Sequence, residues 1–202
     1  MTKLSVNINK IATLRNARNE NYPNLLKTAQ DILSFGAQGI TVHPRPDERH
    51  VRYSDVYELK KNINSELNIE GNPIKKFIDL VNDVKPDQVT LVPDSEHAIT
   101  SNSGWDTITN FSYLNDIIKE FKSNSIRVSI FIDPNINMLE GAKKLNADRI
   151  ELFTGPFAKE FDLNRSEAVK NYVKCSKIAN EINIDINAVH DLNQHNLLFF
   201  SK

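Results

Sequence analysis

An α/β fold built on a parallel sheet is predicted by three observations. Short β-branched runs alternate with longer runs of helical spacing along the chain. That alternation is the pattern of repeated βαβ units. The short runs are rich in Val and Ile, as befits strands covered on both faces. No Gly/Ser-rich or low-complexity linker divides the 202 residues, so a single domain over 1–202 is expected.

The elements follow in order. β-rich runs are KLSVNIN (3–9), GITVH (39–43), LNIE (67–70), QVTLV (88–92), RVSIFID (127–133), RIELF (149–153) and IDINAVH (184–190). Between the first two, YPNLLKTAQDILSFGA carries Leu25, Leu26, Ala29, Ile32 and Leu33 on one helical face, with Gly36 as a stop. NPIKKFIDLVNDVKP carries Ile74, Phe77, Ile78 and Val81, with Asn72 as the expected N-cap and Pro73 in the first turn. FSYLNDIIKEFKSN, NMLEGAKKLNA and SEAVKNYVKCSKIANEI repeat the helical theme.

Seven strands at regular spacing, with neither a GxGxxG turn nor a GxxxxGK[ST] loop, argue against a nucleotide-binding doubly wound sheet. The expected architecture is a (β/α)8 TIM-type barrel with about seven βα units present in this chain. The chain stops after NLLFFSK, one unit short of eight.

The bulk numbers narrow the function. A net charge of -1 gives no sign of a nucleic-acid partner, so a basic patch must be local and suited to small phosphorylated molecules. One cysteine, Cys175, excludes an internal disulfide and fits a reducing compartment. MTKLSVNINKI lacks the apolar region of a signal peptide, and no apolar run is long enough to span a membrane. A cytoplasmic protein with no membrane partner is expected.

The chemistry gathers at the strand ends. ITVHPRPDERHVR (40–52) leaves its strand through Pro44 and Pro46, which bar a helix and crowd His43, Arg45, Arg49, His50 and Arg52 onto a loop. Alone, that loop reads equally well as a solvated, charge-balanced surface. The other strands end on Asn7 and Asn9 followed by Lys10, on Glu70, on Asp133, on Glu151 and Thr154, and on His190 and Asp191. In a barrel, the carboxyl ends of the strands carry the active site. Histidines and glutamates suit general acid–base work, and Arg18, Arg45 and Arg49 suit phosphate or carboxylate. His43 and His50 lack the helical spacing of a zinc motif. The residues alone predict proton-transfer chemistry on a phosphorylated substrate.

VNINKIATLRNAR (6–18), GITVHPRPDERHVR (39–52), NIEGNP (68–73), VTLVPD (89–94), SIFID (129–133), RIELFTGPFA (149–158) and INAVHDL (186–192) together resemble the pyridoxine 5'-phosphate synthase family along essentially the whole chain. The resemblance implies a (β/α)8 barrel that condenses 3-amino-2-oxopropyl phosphate with 1-deoxy-D-xylulose 5-phosphate, without metal or organic cofactor, in a homo-octamer. It implies that His43 and Glu70 accept protons, that His190 donates one, and that Glu151 stabilises a charged transition state. Asn7 and Arg18 would hold the amino-ketone phosphate. Arg45, His50 and Thr100 would hold the ketose phosphate beside Asn9 and Lys10. Asp191, next to His190, joins the substrate-binding set.

The chain departs from the family pattern in three places. Asn9-Lys10 replaces an Asp-His pair, and Val189 replaces a glycine where backbone freedom is expected to matter. The family's eighth strand, ending in Gly-His, and its closing helix have no counterpart before Lys202. A lysine at position 10 also admits a Schiff-base reading. Two functions are therefore carried forward: the synthase, and a catalytically impaired, truncated barrel that still binds phosphorylated small molecules. A phosphate-handling isomerase or aldolase is the third, disfavoured by the long matches at 6–18 and 39–52.

Overall fold

The computed structural model describes residues 2–17, 20–94 and 101–202. Two compact units emerge: Met1–Ala98 with Phe121–Arg127, and Ile99–Glu120 with Val128–Lys202.

The first unit runs β1 (Ser5–Asn7), α1 (Asn9–Asn16), α2 (Leu25–Ser34), β2 (Gly39–Val42), α3 (Tyr53–Asn62), β3 (Glu66–Gly71), α4 (Lys75–Val84) and β4 (Gln88–Leu91). Its strands are parallel and neighbour one another in chain order, with Asn7 opposite Thr41, Thr41 opposite Asn68, and Asn68 opposite Gln88. One face is apolar: Ile40, Val42, Leu67, Ile69, Val89 and Leu91 are fully buried, as is Val81 of α4. The other face is polar. Ser5 and Thr41 share a side-chain hydrogen bond of 2.8 Å, and Asn68 donates to the Thr41 hydroxyl at 3.4 Å. Gln88 and Thr90 both donate to the Asn68 side-chain oxygen, at 3.2 and 3.0 Å. Arg127 donates to the Gln88 side-chain oxygen at 2.8 Å. Few polar residues were expected in the strands. The strands instead alternate strictly, and Thr41, Asn68, Gln88 and Thr90 are each buried with a partner, which removes most of the desolvation cost.

The second unit holds most of α5 (Phe111–Ser123) and β5 (Arg127–Ile132), then α6 (Ile136–Lys144), β6 (Arg149–Phe153), α7 (Gly155–Glu160), α8 (Arg165–Glu181), β7 (Asp185–Val189) and α9 (Leu197–Phe200). Its strands are again parallel and in chain order, with Phe131 opposite Glu151 and Glu151 opposite Asn187. Ile130, Ile132, Ile150 and Leu152 form the apolar face. Phe157, Phe161 and Tyr172 pack edge to face, and the Tyr172 hydroxyl donates to the Phe153 carbonyl at 2.7 Å.

Helix ends follow local chemistry. Asn24, Asn135 and Asn164 cap α2, α6 and α8 by accepting backbone N–H bonds from Lys27, Asn137 and Glu167. Asn72 does not cap α4: Ile74 stands at that position, and the Asn72 amide donates to the Asp94 carbonyl at 2.7 Å instead. The first strand is shorter than its β-rich run. Asn9 and Lys10 open α1 rather than ending β1, because the Asn7 side chain accepts the Asn9 N–H at 2.9 Å and turns the chain into helix. Among the described residues no helix is long and apolar enough to cross a membrane.

Candidate active site

β2 and β3 set the first group of functional side chains. Two residues beyond Thr41 stands His43, and two beyond Asn68 stands Glu70, so both point to the polar face. Both are buried, at 7% and 6% exposure. His43 Nδ1 lies 4.0 Å from Glu70 Oε2, and Asn7 donates to the same oxygen at 3.5 Å. The backbone N–H of His43 donates to the Asn9 side chain at 2.9 Å, which ties the end of β2 to the start of α1. Gly71, directly after Glu70, permits a close approach: a Cβ there would lie 2.3 Å from the Phe77 ring.

The loop after β2 is not a solvated surface throughout. Arg45 is 4% exposed, and its guanidinium donates to Asp94 Oδ2 at 2.7 Å. Together with His43, Tyr53, Asn72 and Phe77, this buried pair lines a small pocket. Arg49, by contrast, pairs with its neighbour Asp47 at 2.8 Å near the surface. His50 lies edge-on to His43, with ring centroids 6.2 Å apart. Its Nδ1 accepts the Val51 N–H at 2.9 Å. Burial, then the positive charges of Arg45 and Arg49, push its pKa down to about 4. The imidazole is thus neutral at physiological pH with its proton on Nε2. It offers a hydrogen-bond donor without a charge. Lys10 is exposed in the first turn of α1, on the opposite side of Asn9 in sequence from Asn7.

In the second unit, Glu151 sits on β6 at 4% exposure. Burial pushes its pKa up to about 8, against a hydrogen bond from Asn187 on β7. Near neutrality the group is therefore mostly a protonated carboxyl. The His190 ring is half-buried against Phe131 and Phe153, each with its centroid 5.4 Å away. The expected backbone freedom at Val189 is not where the chain needs it. Val189 ends β7, and its carbonyl accepts the Thr154 N–H at 3.0 Å. The left-handed residues are the next two, His190 at φ 82° and Asp191 at φ 57°. The Thr154 hydroxyl bonds the His190 carbonyl, and Asn196 donates to the Asp191 carbonyl at 3.0 Å. The exposed Asp191 is thus anchored by its backbone.

Arg18 and Thr100 lie outside the described residues. Sequence reasoning passed over Asp94, Asn187 and the buried pair Arg15–Asp55. Asp94 and Arg15 stand inside quoted motifs, but their partners are 49 and 40 residues away along the chain. Among the described residues no group of three or more His, Cys, Asp or Glu is arranged to hold a metal ion.

Solved structures share the fold at low identity. A structure described as native KDPGal aligns over 100% of this chain and 79% of its own, with a TM-score of 0.61 and 9% identity. Thiamine phosphate pyrophosphorylase from Pyrococcus furiosus aligns over 98% and 78%, with a TM-score of 0.59 and 13% identity. The fold is α/β and TIM-barrel-like, with seven parallel strands among the described residues. The family model for the pyridoxal phosphate biosynthesis protein PdxJ matches residues 4–202. Pyridoxine 5'-phosphate synthase of Christiangramia forsetii is 61% identical over all 202 residues, which span 85% of that protein. The Cytophaga hutchinsonii and Bacteroides fragilis synthases are 58% and 55% identical over the same share. A match of this length and identity leaves one assignment: the chain belongs to the PdxJ family of pyridoxine 5'-phosphate synthases.

Proposed function

We propose that this chain condenses 3-amino-2-oxopropyl phosphate with 1-deoxy-D-xylulose 5-phosphate, giving pyridoxine 5'-phosphate, inorganic phosphate and water. The observation that carries the reading is the buried His43–Glu70 pair at adjacent strand ends, beside a loop that buries Arg45 and a neutral His50. Ring closure needs an amine to add to a ketone, water to leave as the imine forms, enolisations, and expulsion of phosphate. Each step moves a proton, so several acid–base groups are required. His43 and Glu70 are assigned as the proton acceptors, with Asn7 donating to the carboxylate that faces the imidazole.

For the ketose phosphate, Arg45 supplies positive charge and His50 an uncharged Nε2–H donor. Asn9, Lys10 and Thr100 belong to the same binding set, and Asn7 and Arg18 to the amino-ketone phosphate. Asp191 stays in the set through its place beside His190. His190 is assigned as proton donor. Glu151, held protonated near neutrality by burial, is assigned to stabilise developing charge through its O–H. A homo-oligomer, octameric by resemblance, and a cytoplasmic setting are part of this reading. The exposed Lys10 gives no support to a Schiff base there.

The test mixes the purified chain with both substrates and follows phosphate release and pyridoxine 5'-phosphate formation together. Both products in equal amounts support the synthase. Binding of either phosphorylated substrate without product supports the impaired barrel instead.

A further inference from the structure

α1 ends on two residues, Arg15 and Asn16, that hydrogen-bond to the loop after β2. Arg15 is 2% exposed. Its guanidinium grips Asp55 of α3 with two bonds, Nη1–Oδ1 at 2.6 Å and Nη2–Oδ2 at 2.8 Å. Nη2 also donates to the His50 carbonyl at 3.2 Å, and both Nε and Nη2 donate to the Asn16 side-chain oxygen, at 3.2 and 3.1 Å. Arg52 adds a further bond to that oxygen at 2.9 Å. The Asn16 amide nitrogen is then aimed at the loop, where it lies 2.7 Å from the His50 carbonyl, 3.2 Å from that of Arg49 and 3.5 Å from that of Glu48. Asp55 completes the arrangement by accepting the Arg52 N–H at 2.7 Å, which starts α3.

The chemistry of this cluster has a direction. Three successive carbonyls, of Glu48, Arg49 and His50, all face donors of α1. With its carbonyls held from α1, the loop keeps the Val51 N–H on His50 Nδ1 and so keeps the imidazole proton on Nε2. Glu48 stands at φ 53°, a conformation a non-glycine residue holds only when its surroundings fix it. The clamp touches no substrate in any arrangement described above. It acts on the loop that carries His50.

We infer that Arg15, Asn16 and Asp55 are positioning residues that preassemble the phosphate-binding loop, fixing the tautomer and aim of His50 before the ketose phosphate arrives. The inference rests on the synthase reading for the identity of that ligand and on the hydrogen bonds alone for the clamp itself. Preorganisation of this kind lowers the ordering cost of binding, so its loss is felt in affinity for one substrate and not the other.

Asn16→Asp is the discriminating variant. It keeps an acceptor for Arg15 and Arg52, so the fold stays held, but it faces three carbonyls with an oxygen in place of an amide. Asn16→Ala is its companion. In steady-state kinetics, KM for 1-deoxy-D-xylulose 5-phosphate is expected to rise about tenfold in both variants, the scale of one or two lost hydrogen bonds, with KM for the amino-ketone unchanged. Imidazole 15N shifts of the free chain supply a readout independent of turnover. His50 is expected as the Nε2–H tautomer in the parent and as a tautomer average in Asn16→Asp. A ketose-phosphate KM within twofold of the parent, or both KM values rising together, overturns the inference. If the parent makes no product, the synthase reading fails, and the 15N shifts decide the clamp: identical His50 spectra in parent and Asn16→Asp overturn it, and a shift to averaging supports it.

Discussion

Replacing Asp94 by asparagine removes one charge from a buried pair and almost nothing else. The Arg45 and Asp94 side chains are 5% and 6% exposed, with 2.7 Å between Nη2 and Oδ2. Removing one partner of a buried ion pair costs about 3–5 kcal/mol, because the remaining charge stays out of water. Asparagine returns part of this, since its oxygen still accepts one bond from the guanidinium. The Asn72 contact is to the Asp94 backbone and survives. The expected loss is therefore near the lower end, about 3 kcal/mol, a large share of a typical domain's stability. Urea unfolding followed by circular dichroism reads it. Inorganic phosphate supplies the second arm. An anion that seats on Arg45 replaces the missing charge, so phosphate should stabilise Asp94→Asn more than it stabilises the parent. At 100 times its dissociation constant a ligand adds about 2.7 kcal/mol. A variant within about 1 kcal/mol of the parent, or one with the parent's phosphate increment, would refute this account of Arg45.

Three further outcomes are expected. His43→Ala should fold as the parent does and lose turnover by about 10²–10⁴-fold, the usual scale for a lost general base, in the coupled product assay. The Glu151 carboxyl titrates at about 8 in the folded chain against 4.5 unfolded, so the folded state holds an extra proton between those values. Its contribution to stability is complete below pH 4.5 and is lost as pH rises through 8. Glu151→Gln should flatten that fall in thermal melts across this window, and an unchanged slope would remove Glu151 as its source. Gly71→Ala drives a methyl into the fully packed Phe77 ring and should cost about 1–3 kcal/mol, with a drop in turnover through the adjacent Glu70. Wild-type stability by urea titration would show the approach to be slack.

Hydrophobic period and turn chemistry made the strands readable, because each is a short β-branched run closed by Pro, Asn or a charge. The positions of His43 and Glu70 at the ends of β2 and β3 follow directly from those runs, whereas Glu151, expected at the end of its strand, stands in the middle of β6. What the chain did not disclose depends on distance along it. Nothing near Arg45 announces Asp94, and nothing near Arg15 announces Asp55, since the first pair meets only after two βα crossovers have folded and the second after one. The start of α1 was obscured for a local reason. Asn7 and Asn9 continue a β-like alternation, and the side-chain bond that turns the chain is invisible to periodicity. Position 189 is obscured in the same way: Val189 stands within β7, and the left-handed backbone falls on the next two residues, His190 and Asp191.

The polar ladder on the β1–β4 sheet has a consequence for folding accuracy. Alternation rejects a strand shifted by one residue, because every side chain would change faces. It is blind to a shift of two, which restores the pattern and displaces the strand by about 6.6 Å. Such a shift between β2 and β3 would carry Glu70 out of reach of His43 while leaving the apolar face intact. Asn68 distinguishes the two pairings, since only the native one offers it Thr41 on one side with Gln88 and Thr90 on the other. A shifted chain would bury those groups unsatisfied. The interior hydrogen bonds thus serve as a vernier for the sheet, setting to one lattice step the spacing at which an imidazole and a carboxylate meet.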